Sequence, residues 1–273
     1  MGLPADGHVH SQFSWDAAHV GNMEATCARA IELGVPAVSF TEHVDFTPFR
    51  AGFLAEQFGH LVTDGILTAT MLDVAAYQES VEKCRAKYPE LRILTGMEVG
   101  QPHLQVAEVA GLLAQGTFER VIGSLHCLLD GEVYAEPWEL FPHQPADEVF
   151  REYLTEIPRM VNGSDAFEVF AHIDYPVRSW PGGSEAFEPG DFEEELRYAL
   201  QALAAGERVL EINTRVPLHP TILRWWREEG GRRVTFGSDA HTPEALGLGL
   251  REAAALAESV GFGPGAKPED PWS

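Results

Sequence analysis

The sequence predicts an α/β barrel, a parallel sheet of seven strands with intervening helices, folded as a single domain. Three observations predict it. Short apolar, β-branched segments alternate with amphipathic helical ones, the pattern of βα units around a parallel sheet. The 273 residues, 45% of them hydrophobic, suffice to fill one such barrel, and no internal repeat or linker divides them. Residues able to bind metals collect at the carboxyl ends of the predicted strands, where parallel barrels gather functional side chains.

The first strand, Ala5 to His10, carries Asp6-Gly7-His8-Val9-His10. Residues two apart on a strand share a face, so His8 and His10 project together while Val9 turns away. Neutral imidazole is a good ligand for zinc, iron and related ions, and two on one face begin a metal site. Asn22 to Leu33 has apolar residues at helical spacing and stops at Gly34, where a left-handed residue ends the turn. The second strand, Pro36 to Thr41, runs into Glu42 and His43. If the strand persists these two face opposite ways, which gives His43 to the site and Glu42 a supporting role.

From Asp45 to Asp64, Phe46, Phe49, Phe53 and Phe58 lie among scattered glycine and proline, so an irregular stretch is expected before the helix Met71 to Tyr88. The third strand, Arg92 to Val99, delivers Glu98. The fourth, Arg120 to Leu125, delivers His126. A second irregular stretch, Leu129 to Pro145, holds Tyr134, Trp138 and Phe141. Both stretches follow strands on the side where barrels build active-site loops. They are candidate walls for a substrate, or aromatic plugs over the rim.

The fifth strand, Phe167 to His172, brings His172 and Asp174. The helix Phe192 to Ala205 opens with an acidic turn that suits the helix dipole. The sixth strand, Val209 to Asn213, brings Glu211 and Asn213. The seventh, Arg233 to Ser238, leads into Asp239 and His241, again two apart on one face. The barrel is expected over residues 1–260, with 261–273 a flexible tail carrying Pro264, Pro268 and Pro271.

A formal charge of -23 argues against nucleic acid and anionic membrane as partners, because binding either needs Lys and Arg to displace counterions. Cys27, Cys84 and Cys127 are odd in number and lack Cys-x-x-Cys spacing, so neither a disulfide framework nor a thiolate zinc knuckle is indicated. No signal peptide, membrane-spanning run or myristoylation motif is found, and a cytoplasmic protein is expected.

Six of the 11 histidines sit at predicted strand ends, where structural histidines have no reason to concentrate. The set argues for a multinuclear site. A carboxylate can bridge two cations while imidazoles complete each shell, and mixed nitrogen and oxygen ligands suit Zn, Mn or Fe better than Ca. Glu98 is the natural bridge. His19, His60, His103, His143 and His219 fall in predicted loops or helices and are read as surface or packing residues.

His8-x-His10, Thr41-Glu42-His43, Gly96-Met97-Glu98, Gly123-Ser124-Leu125-His126, Ala171-His172-Ile173-Asp174, Glu211-Ile212-Asn213-Thr214 and Gly237-Ser238-Asp239-Ala240-His241 resemble the ordered motifs of the polymerase and histidinol phosphatase (PHP) family. Chain length and the interval between the second and third motifs resemble its histidinol-phosphate phosphatases, over residues 5 to about 250. The resemblance implies a distorted (β/α)7 TIM-like barrel with three divalent transition metals. Carried over residue by residue, His8, His10, Glu98 and Asp239 would hold the first, Glu98, His126 and His172 the second, and Asp16, His43 and His241 the third. Asp16 lies on a loop that spacing alone does not single out. The family usually places an Arg shortly after the fifth-strand His-x-Asp and another a few residues beyond the sixth-strand Asn-Thr. Here Pro176 precedes Arg178, and Arg215 follows Thr214 at once.

The function so implied is a metal-dependent phosphomonoesterase acting on a small phosphate ester, L-histidinol phosphate first, in histidine biosynthesis. Glu98 and Asp239 would hold a hydroxide bridged by two metals that attacks phosphorus, and Arg215 and Arg178 would grip the phosphate. The alternatives are another phosphoesterase of the family acting on a nucleotide or sugar phosphate, and a non-catalytic metal-binding domain. Retention of candidates for all three metals disfavours the last. Amidohydrolase chemistry is disfavoured because His126 stands where those barrels take a Lys or acidic bridge.

Overall fold

A computed structural model describes residues 2–273. The seven barrel strands are β1 (Asp6–Val9), β2 (Ala37–Asp45), β3 (Arg92–Gly100), β4 (Arg120–Ser124), β5 (Val169–Phe170), β6 (Val209–Asn213) and β7 (Val234–Gly237). All pair in parallel, and their order in the sheet follows their order in the chain. Each is followed by a helix: α1 (Met23–Leu33), α2 (Val74–Lys87), α3 (Val106–Leu113), α4 (Ala146–Gly163), α5 (Glu193–Ala205), α6 (Pro220–Glu228) and α7 (Leu250–Ser259). The ring closes between β7 and β1 without a full ladder. One parallel bridge, Val9 to Ala240, joins them, flanked by His10 N–H to Ala240 O at 2.8 Å and Asp239 N–H to His8 O at 2.9 Å. The buried Asp6 carboxylate adds to this seam by accepting both the backbone N–H and the hydroxyl of Ser238.

The expected helices form where local chemistry dictates. Asn22 caps α1 by accepting from Ala25 N–H, and Gly34 ends it at φ 74°. Asp73 caps α2 in the same way. The first turn of α5 is Glu193, Glu194 and Glu195. Helix α4, which was not assigned from sequence, is strongly amphipathic and buries Phe150, Tyr153, Leu154 and Ile157 against the sheet, although it contains Pro158. Within the ring, the register aligns Glu98 with Ile122, Ile122 with Val169, and Val169 with Val209. This apolar row therefore faces the same side as Glu98 and fills the barrel beneath it.

Strand lengths differ from expectation where the site begins. β2 continues past Thr41 to Asp45, paired residue for residue with β3. β5 is only two residues long, and His172, two residues beyond it, turns to φ 28°. The two stretches expected to be irregular, together with the residues beside them, build a second, five-stranded sheet from Val62–Thr63, Ile66–Leu67, Phe49–Arg50, Val133–Ala135 and Leu128–Asp130. The parallel pairing of Phe49 with Tyr134 ties one stretch to the other, over a core of Phe49, Ala51, Phe58, Leu67 and Cys127.

The tail corrects another expectation. Residues 261–273 are anchored rather than loose. Trp272 pairs antiparallel with Val234, packs edge-on to Phe236 at 4.8 Å and is buried. Arg120 donates to the Glu269 carbonyl. The tail thus covers the amino-terminal end of the barrel, opposite the metal-type residues. The three cysteines are buried and unpaired, and no helix among the described residues is long and apolar enough to cross a membrane.

Candidate metal centre

The nine side chains expected to bind metal, delivered by six strand ends and, for Asp16, one loop, converge at the carboxyl end of the barrel. His8 and His10 both turn inward, with Nε2 atoms 3.1 Å apart. Glu98 is central. Its Oε2 lies 3.1 Å from His8 Nε2, 3.4 Å from His10 Nε2 and 3.2 Å from His43 Nδ1. Its Oε1 lies 2.9 Å from His172 Nε2 and 3.2 Å from His126 Nε2, and accepts from the Ser124 hydroxyl at 2.5 Å. Asp239 Oδ1 is 3.3 Å from His10 Nε2, and Asp16 Oδ2 is 2.9 Å from His241 Nε2 and 3.5 Å from His43 Nε2. The His10 ring stacks against both His43 and His241, at 4.2 and 4.3 Å, and those two rings lie 5.6 Å from each other.

Neighbours fix which nitrogen of each ring faces the cluster. Glu211 Oε1 accepts from His8 Nδ1 at 2.7 Å, while its Oε2 accepts from the His172 backbone N–H and from Asn213. Glu42 turns away from His43, as expected, and accepts from the hydroxyls of Ser11 and Ser14. Ser14 in turn meets His10 Nδ1 at 3.0 Å, so a carboxylate–hydroxyl–imidazole chain leaves the His10 Nε2 lone pair facing the cluster.

These residues fit cations better than they fit one another. Glu98 Oε2, Asp16 Oδ1, His43 Nδ1 and His172 Nδ1 are buried without hydrogen-bond partners, and such atoms are costly unless a partner is supplied. Three groups have ligand atoms within 4.8 Å of one another: His8, His10 and Glu98; His10, His43 and His241; and His43, Glu98 and His126. Burial, with His43 and His241 alongside, pushes the His10 imidazole down to about 3, which keeps its lone pair free. Burial and Arg178 push His172 down to about 4. Burial opposes charge on Glu98, yet His8, His43 and His126 hold its carboxyl well below the usual range.

Two residues that take ligand-type positions sit in left-handed backbone, His172 at φ 28° and Asp239 at φ 55°. Such conformations are uncommon outside glycine, and they point to backbone shaped around the site rather than around chain continuity. Arg178 and Arg215 both line the cavity that opens over the cluster, a space of about 510 Å³. Arg178 pairs with Asp239 Oδ2 at 2.5 Å, and its guanidinium lies over the Tyr175 ring. Asp174, buried and pushed up to about 6 by burial, lies outside the three ligand groups.

Sequence reading missed Asp45. Its Oδ1 lies 3.4 Å from His126 Nδ1, and its Oδ2 accepts from Trp15 Nε1 at 2.9 Å. A signal was present, since Asp45 stands two residues beyond His43 on what proves to be one continuous strand. Ser14, Ser124 and Glu136 were also missed, because hydroxyls and loop carboxylates have no distinctive spacing.

A model of the PHP domain matches residues 6–215. The chain belongs to the PHP domain family. A curated histidinol-phosphatase of Lactococcus lactis subsp. lactis (strain IL1403) is 28% identical over 265 residues, covering 94% of this chain and 91% of that one. A probable histidinol-phosphatase of Clostridium acetobutylicum is 26% identical over 271 residues, covering 95% and 94%. Among solved structures, the Lactococcus lactis histidinol phosphate phosphatase in complex with zinc, L-histidinol and phosphate superposes with a TM-score of 0.81 at 26% identity, over 96% of this chain and 95% of that one. A putative histidinol phosphatase from Listeria monocytogenes shares the fold, with a TM-score of 0.70 at 18% identity, over 91% and 99%. In this PHP domain His43, Glu98, His126, Asp239 and His241 line the cavity, while His8, His10 and His172 are buried against Glu98.

Proposed function

We propose that the chain is a metal-dependent phosphomonoesterase that hydrolyses L-histidinol phosphate to L-histidinol and phosphate. The observation that carries this reading is that one cavity contains both the imidazole–carboxylate cluster and two guanidinium groups, Arg178 and Arg215. Relatives named for this activity, matching over nearly the whole chain, support the choice of substrate.

In this reading His8, His10, Glu98 and Asp239 would hold one cation, Glu98, His126 and His172 a second, and Asp16, His43 and His241 a third. Zn, Mn and Fe suit this donor set. Divalent cations held there would acidify a water molecule and neutralise charge on the phosphate. Glu211 and Ser14 fix the ring orientations of His8 and His10, and Asp45 does the same for His126. Arg215 and Arg178 bind phosphate oxygens, for which a planar guanidinium fork is suited. The aromatic wall of Trp15, Phe49, Phe58 and Trp138 limits water around the ester.

The test is phosphate release by protein purified without chelator, with added Mn or Zn, from L-histidinol phosphate, a nucleotide, a sugar phosphate and an aryl phosphate. The highest kcat/KM is expected on L-histidinol phosphate. Preference for the nucleotide or the sugar phosphate, or no turnover of any ester, overturns the reading.

A further inference from the structure

Two of the three buried cysteines meet where α1 packs against α2. Cys27 belongs to the buried face of α1, with Met23 and Ala30, and Cys84 to the buried face of α2, with Tyr77 and Val81. Their side chains hydrogen-bond each other, thiol to thiol, across the contact between the helices. An ion pair fixes that contact from outside, since Lys87, three residues beyond Cys84, reaches Glu24, three residues before Cys27. Neither thiol belongs to the three metal-ligand groups, and Cys127 lies apart in the core of the five-stranded sheet.

The two sulfurs are not equivalent. Cys27 is sealed, whereas Cys84 borders a surface cavity of about 430 Å³ between the start of α1 and α2, walled by Gln12, Asn22, Glu24, Ser80 and Lys83. Their hydrogen bond divides them further. It holds the Cys84 thiol below its ordinary range against the effect of burial, and the same bond together with burial pushes the Cys27 thiol up. Cys27 S–H therefore donates to the Cys84 sulfur. A sulfur with thiolate character facing a cavity, backed by a protonated thiol, is the pairing of an attacking with a resolving cysteine.

We propose that Cys27 and Cys84 form a reversible dithiol–disulfide pair, oxidised by a small hydroperoxide that enters through this cavity. The Cys84 thiolate attacks a peroxide oxygen and the O–O bond breaks. Hydroxide leaves, takes up the proton that Cys84 had lost, and departs as water, while Cys84 becomes a sulfenic acid. The Cys27 sulfur then attacks the Cys84 sulfur, the S–O bond breaks, and the hydroxyl leaves with the Cys27 proton as a second water. Two thiols are oxidised by two electrons, hydrogen peroxide is reduced to two waters, and a dithiol reductant reverses the change. This modification site is independent of the phosphatase reading.

The experiment exposes the full chain, zinc-loaded, reduced and then freed of reductant, to hydrogen peroxide. Remaining thiols are alkylated after acid denaturation, and the peptides are mapped by mass spectrometry. The expected product is one linked peptide joining Cys27 to Cys84, with Cys127 alkylated and both linked thiols recovered by dithiothreitol. Cys27→Ser should halt the reaction at a Cys84 sulfenic acid, trapped by dimedone. Cys84→Ser should leave Cys27 oxidising roughly tenfold more slowly or not at all, since the sulfur at the cavity is gone. Oxidation of Cys127 as fast as that of Cys84, a link between the Cys84 residues of two copies, or linkage that forms only in the unfolded chain overturns the proposal. So does a wild-type chain that keeps all three thiols in a large excess of peroxide. Should either variant fail to fold, the wild-type peptide map alone decides.

Discussion

The Nε2 atoms of His8 and His10 lie 3.1 Å apart, while the Nδ1 atom of each ring is already engaged, by Glu211 and by Ser14. Two ring nitrogens brought this close, with Glu98 Oε2 beside both, call for a shared positive charge.

About three tightly bound transition metals per chain are therefore expected in protein purified without chelator. Elemental analysis checks this, and a consistent ratio at or below one metal would sink the trinuclear assignment. Removing the metals should also lower the melting temperature, because a cation bound a thousandfold above its Kd contributes about 4 kcal/mol. Scanning calorimetry before and after chelation reads the change.

Glu98→Gln is expected to impair catalysis more than a change at any single outer ligand. Its carboxylate approaches five of the six clustered histidines, and an amide cannot serve both sides as an anion. Circular dichroism should show the fold largely kept. Near wild-type turnover with full metal content would remove Glu98 from its bridging role.

Arg215→Ala is expected to lower kcat/KM roughly ten- to hundredfold, the loss of a charge-assisted bond of about 1.5–3 kcal/mol. Arg215→Lys should recover part of this, since an ammonium lacks the planar fork. Arg178 is more deeply placed than its position beyond Pro176 suggested, and it pairs with Asp239. Arg178→Ala is therefore expected to change metal content as well as turnover, whereas Arg215→Ala should change turnover alone. If Arg215→Ala is silent while Arg178→Ala is crippled with its metals intact, the phosphate lies against the fifth-strand loop.

Trp272→Ala is expected to cost about 3 kcal/mol of stability, since truncating a buried Trp removes its apolar contacts and leaves a cavity against Phe236. Chemical denaturation reads the loss. A change within about 0.5 kcal/mol, the range of ordinary surface substitutions, would show that the tail contributes little.

The strands and the ligand-type residues were legible because they obey a simple rule, in which period-two side chains at the ends of apolar segments face one cavity. His8 with His10, and Asp239 with His241, could be read from spacing alone. Asp16 could not, because it reaches His241 from a loop with no periodicity, and only the family resemblance singled it out. Asp45 was hidden by the expectation that β2 stops at Thr41, since neither Glu42 nor the aromatic run after it marks continued pairing with β3. The five-stranded sheet was hidden because its strands are two or three residues long and pair between stretches more than 60 residues apart, below the length at which alternation can be recognised. The tail was misjudged from its prolines, which say nothing about Trp272 closing an antiparallel bridge.

The seam between β1 and β7 gives the centre a part in assembly. His8 and His10 lie on one side of that seam and Asp239 on the other, more than 220 residues along the chain, with a single bridge, Val9 to Ala240, between them. A cation held by all three would act as a clasp across a loop of more than 220 residues, which is costly to close in chain entropy. It could be fastened only after the last strand has docked. Metal uptake and the final, most non-local step of folding would then be one event, and starving the cell of metal would leave an unfastened ring, not merely an idle enzyme.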